Sequence, residues 1–392
     1  MSGGPLLFLI AGEPSGDRLG AALIRGLRDA TGDKCRFIGI GGPLMEAEGL
    51  RSLMPIDRLA VMGLAEVLPR IPELLGLINR AAQAVISAEP AALVTIDSPD
   101  FCLRVAKRAR RARPGMRTIH YVAPSVWAWR SGRAKKMART VDHVLALLPF
   151  EPPYMTAAGM TCDFVGHPVA AEPLPSAEKR QALREVLSLA PGEVPVVVLP
   201  GSRGGEVARH GPMFRQVWDR LSAADPSLRA IVPAVAARVP ALQEVFASCA
   251  RPPLILDPST VQAPERLKKA AMAEAVAALA VSGTVSLELA AVGTPMVVAY
   301  RANPVTAALV RRLVKVRYAS LVNILEDAPV IPEYLMGEAT TDNLTRAMQA
   351  LLEDPAARAA QTTRFEASML ALGRGEEPPG LRAARSVLRS VG

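Results

Sequence analysis

Aromatic side chains are scarce in this chain, at 4% of 392 residues. Ala, Val and Leu supply the apolar content instead, which favours α/β packing over a β-sandwich. The four cysteines, Cys35, Cys102, Cys162 and Cys249, are far apart and none forms a CxxC pair. That excludes a disulfide framework and a cysteine zinc site, and fits a reduced cytosolic protein. The four histidines, His120, His143, His167 and His210, have no metal-ligand spacing either. Long apolar runs are missing too. Leu6 to Ala11 is far too short for a signal segment or a membrane span, and no stretch elsewhere reaches the roughly 18 residues a spanning helix requires. A soluble or peripheral protein is expected. Neither GxGxxG nor a Walker A sequence occurs, so a dinucleotide fingerprint and ATP hydrolysis find no support.

The chain has the composition of a globular protein, with 50% hydrophobic and 21% charged residues. Its length points to two domains. The net charge of +9 suits nucleic acid, an anionic membrane surface or phosphorylated substrates. Basic residues cluster at Arg104–Arg113, at Arg130–Arg139 and at Arg311–Arg317. Each cluster fits a solvated helix face as well as a binding face. No aromatic interleaving or nucleic-acid module accompanies them, so no nucleic-acid partner is expected.

Short apolar runs alternate with helical patterns in both halves. Strands are predicted at Leu6–Ala11, Arg36–Ile40, Leu93–Ile96, Thr118–Val122 and His143–Leu147. After an irregular, proline-rich stretch near residues 164–175 they resume at Val196–Leu199, Ala230–Pro233, Leu254–Leu256, Val276–Val281 and Met296–Tyr300. Such alternation implies βαβ units and parallel sheets, hence an α/β fold of two Rossmann-like halves joined near residue 170. The tail from Asn343 to Gly392 reads as helix, broken near Gly373–Gly380. Residues 59–86 are densely apolar and interrupted by Pro69 and Pro72. They suit either buried core helices or an exposed lipid-touching patch, in which Val61, Met62, Leu64 and Leu75 would make contact.

Five segments carry chemistry. AGEPSGD (11–17) ends the first strand with two glycines and places Glu13 and Ser15 at a βα turn, where Ser15 or Asp17 could serve as N-cap. IDSPDF (96–101) ends another strand. Ligands of open α/β sheets bind at such ends, so Asp97 would face a cleft and could act as a base, while Asp100 suits the first turn of the next helix. The spacing is not the Asp-x-Asp of a metal-dependent glycosyltransferase, and no metal or cofactor is expected. HYVAPSVWAWR (120–130) puts two of three tryptophans, Trp127 and Trp129, in one loop beside Arg130. LPGSRGGE (199–206) brings Arg203 to a glycine turn, fit to grip a diphosphate with its fork. SGTVSLE (282–288) opens a helix with Ser282, Gly283, Thr284 and Ser286, which suits a phosphate or an ordinary N-cap, and Glu288 lies one turn on.

These segments, with GLAEVLPRI (63–71), LPFE (148–151), FVGHPV (164–169), PMVVAYR (295–301) and LVNIL (321–325), closely resemble the lipid-A-disaccharide synthase family, in order and over nearly the whole chain. The chain departs locally: Pro14, Cys102 and Val322 stand where other residues are usual. The resemblance implies a GT-B fold, two Rossmann-like domains facing across a cleft. Residues 1–170 would bind the acceptor and lipid, 171–364 the UDP-sugar, and 365–392 would pack back on the first domain. It further implies transfer of 2,3-diacylglucosamine from UDP to 2,3-diacylglucosamine 1-phosphate, giving a β-1,6-linked disaccharide 1-phosphate and UDP with inversion, on the cytoplasmic face of the inner membrane. Asp97 is expected as base, with Glu13 second. Ser15, Asp100, Trp127 and Arg130 fall on the acceptor side. Arg203, Ser282, Gly283, Thr284 and Ser286 would hold the diphosphate, Glu288 the ribose, and Asn323 the nucleotide region. A homodimer is left open. The competing readings are a GT-B-type UDP-sugar epimerase and a non-catalytic UDP-sugar-binding protein.

Overall fold

A computed structural model describes residues 4–56, 59, 64–128, 132–302 and 316–392, with the backbone alone for 64–71. The strands are β1 (Leu6–Ala11), β2 (Arg36–Ile40), β3 (Arg51–Ser52), β4 (Ala92–Ile96), β5 (Arg117–Tyr121), β6 (His143–Ala146), β7 (Thr161–Phe164), β8 (Val194–Leu199), β9 (Leu228–Pro233), β10 (Leu254–Leu256), β11 (Ala277–Val281), β12 (Met296–Tyr300) and β13 (Glu333–Leu335). The first helices are α1 (Pro14–Thr31), α2 (Pro43–Ala47), α3 (Leu64–Ala88), α4 (Pro99–Ala112), α5 (Gly132–Met137), α6 (Pro152–Thr156) and α7 (Pro168–Ala171). They are followed by α8 (Ala177–Val186), α9 (Gly204–Ala224), α10 (Val239–Phe246), α11 (Pro264–Glu274), α12 (Val285–Ala291), α13 (Leu321–Glu326), α14 (Thr341–Glu353), α15 (Pro355–Ala371) and α16 (Pro379–Val391).

The chain divides into two compact units. One runs to Ala171 and regains Leu372–Gly392; the other is Glu172–Ala371. Each holds one sheet, ordered β3-β2-β1-β4-β5-β6-β7 in the first and β10-β9-β8-β11-β12-β13 in the second, with parallel pairing such as Leu9 opposite Val94 and Leu279 opposite Val198. The central strands are apolar at successive positions because helices cover both faces of a parallel sheet. In β1, Leu7 and Leu9 face α1 and α16, packing with Leu23, Leu27, Ala384 and Val387. Phe8 and Ile10 turn to the other face and meet Leu77, Ile78 and Val85 of α3 and Val105 of α4. In the second unit, Val196 and Val198 pack with Phe214, Val217 and Trp218 of α9 and with Leu344 and Met348 of α14. This is the doubly wound, Rossmann-like arrangement, twice in one chain.

α16 closes the first unit against α1. A Cβ on Gly26 would stand 2.4 Å from the carbonyl oxygen of Gly380, and one on Gly380 would stand 2.4 Å from that of Ala22. Only glycine permits so close a helix approach. Polar groups pin the other flank: Ser386 and Arg389 each donate to Asp163 at 2.7 Å, and Ser386 Oγ lies 2.7 Å from His143 Nε2.

Three sequence expectations change. The stretch thought irregular from Phe164 is preceded by a strand, β7, on the sheet edge. α3 runs unbroken from Leu64 to Ala88 through both prolines; a proline deletes one backbone donor, and tertiary packing of the helix can outweigh that loss. The tail breaks at Asp354 as well, between α14 and α15. In the apolar 59–86 stretch, Leu59, Leu77 and Ile78 are buried whereas Leu75 is exposed. Among the described residues no helix is long and apolar enough to cross a membrane.

Candidate functional site

A doubly wound sheet binds ligands beyond the carboxyl ends of the two neighbouring strands from which the chain winds in opposite directions. In the first unit those strands are β1 and β4. Glu13 follows the first and Asp97 the second. Four side chains interlock there. Ser15 donates to Asp97 Oδ2 at 2.9 Å, Ser98 donates to Glu13 Oε1 at 3.0 Å, and the Ser98 N–H donates to Asp97 Oδ1 at 2.9 Å. Each serine therefore braces the carboxylate of the opposite turn. Gly12 makes this possible, since a Cβ there would stand 2.6 Å from Ser98 Cβ and Oγ.

The backbone at this crevice is strained. Asp97 and Ser98 have φ of 54° and 39°, and Val122, after the adjacent β5, has φ of 82°. Left-handed geometry is costly for side chains other than glycine, most of all a β-branched one, and such strain concentrates at functional sites. Asp97 and Glu13 are half-buried and Ser15 is exposed, so both carboxylates are reachable by a ligand.

Asp17 does not cap its own helix. It is buried and accepts from the N–H groups of Gly42, Leu44 and Met45 at 2.9–3.0 Å, which caps α2. The N-cap of α1 is Glu13, without a side-chain capping bond. Asp100, in the first turn of α4, is paired with Arg133 at 3.1 Å.

In the second unit the corresponding strands are β8 and β11. The turn after β8 holds Gly201 at φ 124°. The Glu206 carboxylate folds back over this turn, accepting from the Ser202 and Arg203 N–H groups at 3.0 and 3.2 Å and from Arg203 Nη1 at 3.0 Å. Arg203 is thereby oriented, yet its side chain stays 62% exposed. The turn after β11 presents exposed Gly283 and Thr284. Ser282 donates to the Ala319 carbonyl at 3.1 Å, and Ser286 is fully buried and donates to the Gly283 carbonyl at 2.9 Å. The two serines shape the turn, which leaves Gly283 and Thr284 as its exposed residues.

Glu288 forms a 2.6 Å ion pair with Lys268. Asn323 differs from expectation. It is buried, its amide donates to the Ile331 carbonyl and to Glu333 at 2.9 Å, and its oxygen accepts from the Ile331 N–H at 2.8 Å. Glu333 also receives the Ala319 and Ser320 N–H groups. The Asn323 side chain is spent on holding the 319–333 loop, which in turn receives Ser282. Val61, Met62, Arg130 and most of the third basic cluster, including Arg311, Arg312 and Lys315, lie outside the described residues, as does the side chain of Leu64.

A family model described as Lipid-A-disaccharide synthetase matches residues 7–377. The chain belongs to the lipid-A-disaccharide synthase family. It is 50% identical over 386 residues to the lipid-A-disaccharide synthase of Ruegeria pomeroyi, covering 97% of this chain and 94% of that one. The enzyme of the same name from Rhodospirillum centenum is 46% identical, with 98% and 94% covered, and that from Pseudomonas putida is 42% identical, with 97% and 98% covered. Among solved structures, the chain resembles UDP-GlcNAc 2-epimerase from Neisseria meningitidis bound to UDP-GlcNAc, with TM-score 0.66, 11% identity and 98% of each chain covered. The Methanocaldococcus jannaschii UDP-GlcNAc 2-epimerase, in complex with UDP-GlcNAc and UDP, gives TM-score 0.61 at 14% identity, with 98% of this chain and 99% of that one covered. At such identity the likeness concerns the fold, which is GT-B.

The role of one acid of this synthase-family chain, the last residue of LPFE (148–151), has no signature in the sequence. Glu151 follows β6, is 3% exposed, and accepts from the Trp127 indole at 3.2 Å and from the Leu147 and Leu148 N–H groups at 3.2 and 3.0 Å. Phe150 meets Trp127 edge-on at 5.1 Å. Glu151 and Phe150 thus fix the tryptophan loop from below. Burial pushes the Glu151 carboxyl from 4.5 up to about 7, against the lowering effect of its three donors. A carboxyl raised by folding favours the folded state when protonated. Its contribution is therefore complete below pH 4.5 and declines as pH climbs towards 7. Relative to Glu151→Gln, wild-type unfolding free energy should fall by about 2–3 kcal/mol between pH 4.5 and pH 8. Denaturant titrations at both pH values, followed by tryptophan fluorescence, check this; parallel curves for the two proteins would reject it.

Proposed function

We infer that this chain condenses a UDP-linked diacylglucosamine with a diacylglucosamine 1-phosphate, forming the β-1,6-linked lipid A disaccharide 1-phosphate and UDP. The observation that carries this is family membership across residues 7–377. The acceptor 6-hydroxyl attacks the anomeric carbon of the donor from the face opposite UDP, and inversion follows. Asp97 takes the hydroxyl proton. It is the carboxylate at the switch-point crevice whose two oxygens are both oriented, by Ser15 and by the Ser98 N–H. Glu13, held by Ser98, is the second candidate and otherwise serves to orient the acceptor. Trp127 walls the acceptor side, with Arg130 and Asp100 as further contacts.

Charge building on the departing UDP is met in the second unit. Arg203 supplies the full positive charge, while the Gly283 and Thr284 N–H groups add partial charge. α12 has seven residues, so its dipole is small and the guanidinium carries most of the stabilisation. Glu288, oriented by Lys268, accepts from the ribose hydroxyls. Replacing Arg203 with alanine should weaken UDP binding roughly tenfold to a hundredfold, the worth of charge-assisted hydrogen bonds. Calorimetry with UDP reads this directly, and an unchanged affinity would remove Arg203 from the diphosphate site.

We place the protein peripherally on the cytoplasmic face of the inner membrane, with exposed Leu75 and Val61, Met62 and Leu64 of the same apolar stretch of sequence against lipid and basic residues towards anionic headgroups. Mass spectrometry of products from the two diacylated substrates, without added metal, tests the function. A disaccharide 1-phosphate supports it. Epimerised UDP-sugar without disaccharide would establish the epimerase reading instead.

A further inference from the structure

We propose that a groove between α5 and α6 of the first unit holds one acyl chain of the lipid acceptor; the proposal rests on the reading of function above. The groove has a volume of 390 Å³ and is lined by Val126, Ala134, Pro153, Tyr154 and Ala157, with Lys135 at its edge. The volume lies within the range of small-molecule pockets, roughly 300–1,000 Å³. It is too small for a packed helix of a second copy, which is about 10–12 Å across.

The lining selects the occupant. Apart from the Lys135 ammonium and the Tyr154 hydroxyl, it presents alkyl and ring surface. A sugar or a base buried there would lose hydrogen bonds to water without replacement, whereas an alkyl chain loses none. Tyr154 is 46% exposed, as an aromatic in an unfilled apolar slot would be. The charge at the edge is complementary to a phosphorylated lipid. Lys135, Lys136 and Arg139 are all exposed on or just after α5, and no acidic residue lies on that helix. Arg133, the remaining cation, is engaged by Asp100.

The groove also shares its supports with the acceptor wall. Val126 directly precedes Trp127, and α6 begins directly after Glu151, which holds the Trp127 indole. A chain lying in the groove therefore packs against the two segments that fix Trp127. This gives the acyl chain a means of orienting the sugar to which it is attached.

Two measurements on the full-length protein test this. Ala157 is exposed, so Ala157→Phe obstructs the groove without disturbing the core. Its KM for an acceptor with dodecanoyl chains should rise about tenfold relative to its KM for a butanoyl acceptor, equivalent to losing about two buried methylenes. Tyr154→Trp reports occupancy independently of turnover: an acceptor brominated along its acyl chains should quench the added fluorescence saturably. Equal KM changes for both acceptors, or no change, would overturn the proposal. Quenching by brominated phosphatidylcholine vesicles but not by the brominated acceptor would assign the groove to the bilayer and overturn it too. If the wild-type protein makes no disaccharide from either acceptor, the functional reading fails on its own, and the quenching result still decides whether the groove binds an acyl chain.

Discussion

Asp97→Asn should lower kcat by about 10²–10⁴, the usual cost of removing a general base, while leaving the fold intact. Asparagine keeps an oxygen to receive Ser15 or the Ser98 N–H, so the local geometry survives and what is lost is the proton acceptor. UDP affinity should be unchanged in this variant, because the residues proposed to hold UDP belong to the other unit. Steady-state kinetics with both substrates, alongside UDP calorimetry, separates the two effects. If Asp97→Asn retains more than about a tenth of wild-type kcat, the base lies elsewhere and Glu13→Gln becomes the decisive variant. Ser15→Ala should cost less than either, since it removes one hydrogen bond to Asp97 and leaves the carboxylate in place.

The largest effect on stability should come from the C-terminus. A chain ending at Pro378 lacks α16 and exposes the α1 face built from Leu23, Ile24 and Leu27. It also strips Asp163 of Ser386 and Arg389. The first unit is expected to lose its cooperative thermal transition in such a chain. The second unit, which contains none of residues 372–392, should keep its own. Calorimetry of the truncated protein shows this as one surviving transition, and survival of both would refute it. Gly380→Val gives a graded version. Its Cβ meets the Ala22 carbonyl oxygen at 2.4 Å, and backbone cannot swing aside as a side chain can. The cost should be about 3 kcal/mol or more, at the upper end for overpacking.

Strands covered on both faces were evident from sequence. β1 and β12 have the predicted bounds because burial on two faces demands a continuous apolar run; β2 and the edge strand β10 also have them, since each keeps apolar residues despite being partly exposed. The strands that escaped are β3, β7 and β13, all at sheet edges. Their residues are half-buried or exposed, so no apolar run announces them. The crevices were foreseeable for a related reason: Glu13, Asp97, Arg203 and Gly283 each follow the end of an apolar run, where a parallel sheet delivers its loops. Hidden from sequence were the acids that work on backbone. Glu151, Glu206 and Glu333 reach N–H groups of their own loops. Glu151 and Glu206 end the LPFE and LPGSRGGE segments, but nothing in the sequence tells an acid that holds its own loop from a surface charge. Asn323, expected at the nucleotide region, has an amide that faces inward, where Ile331 and Glu333 satisfy it.

The return of α16 to the first unit also bears on biosynthesis. The ribosome delivers the N-terminal sheet early, yet the helix that covers one of its faces follows the whole second unit in the chain. Throughout translation of the second unit, the apolar face of α1 must remain uncovered or be shielded by another protein. The first unit is therefore completed only after the whole second unit has been made, and a nascent chain stalled anywhere before residue 379 is a substrate for chaperones and proteases rather than a partly finished enzyme.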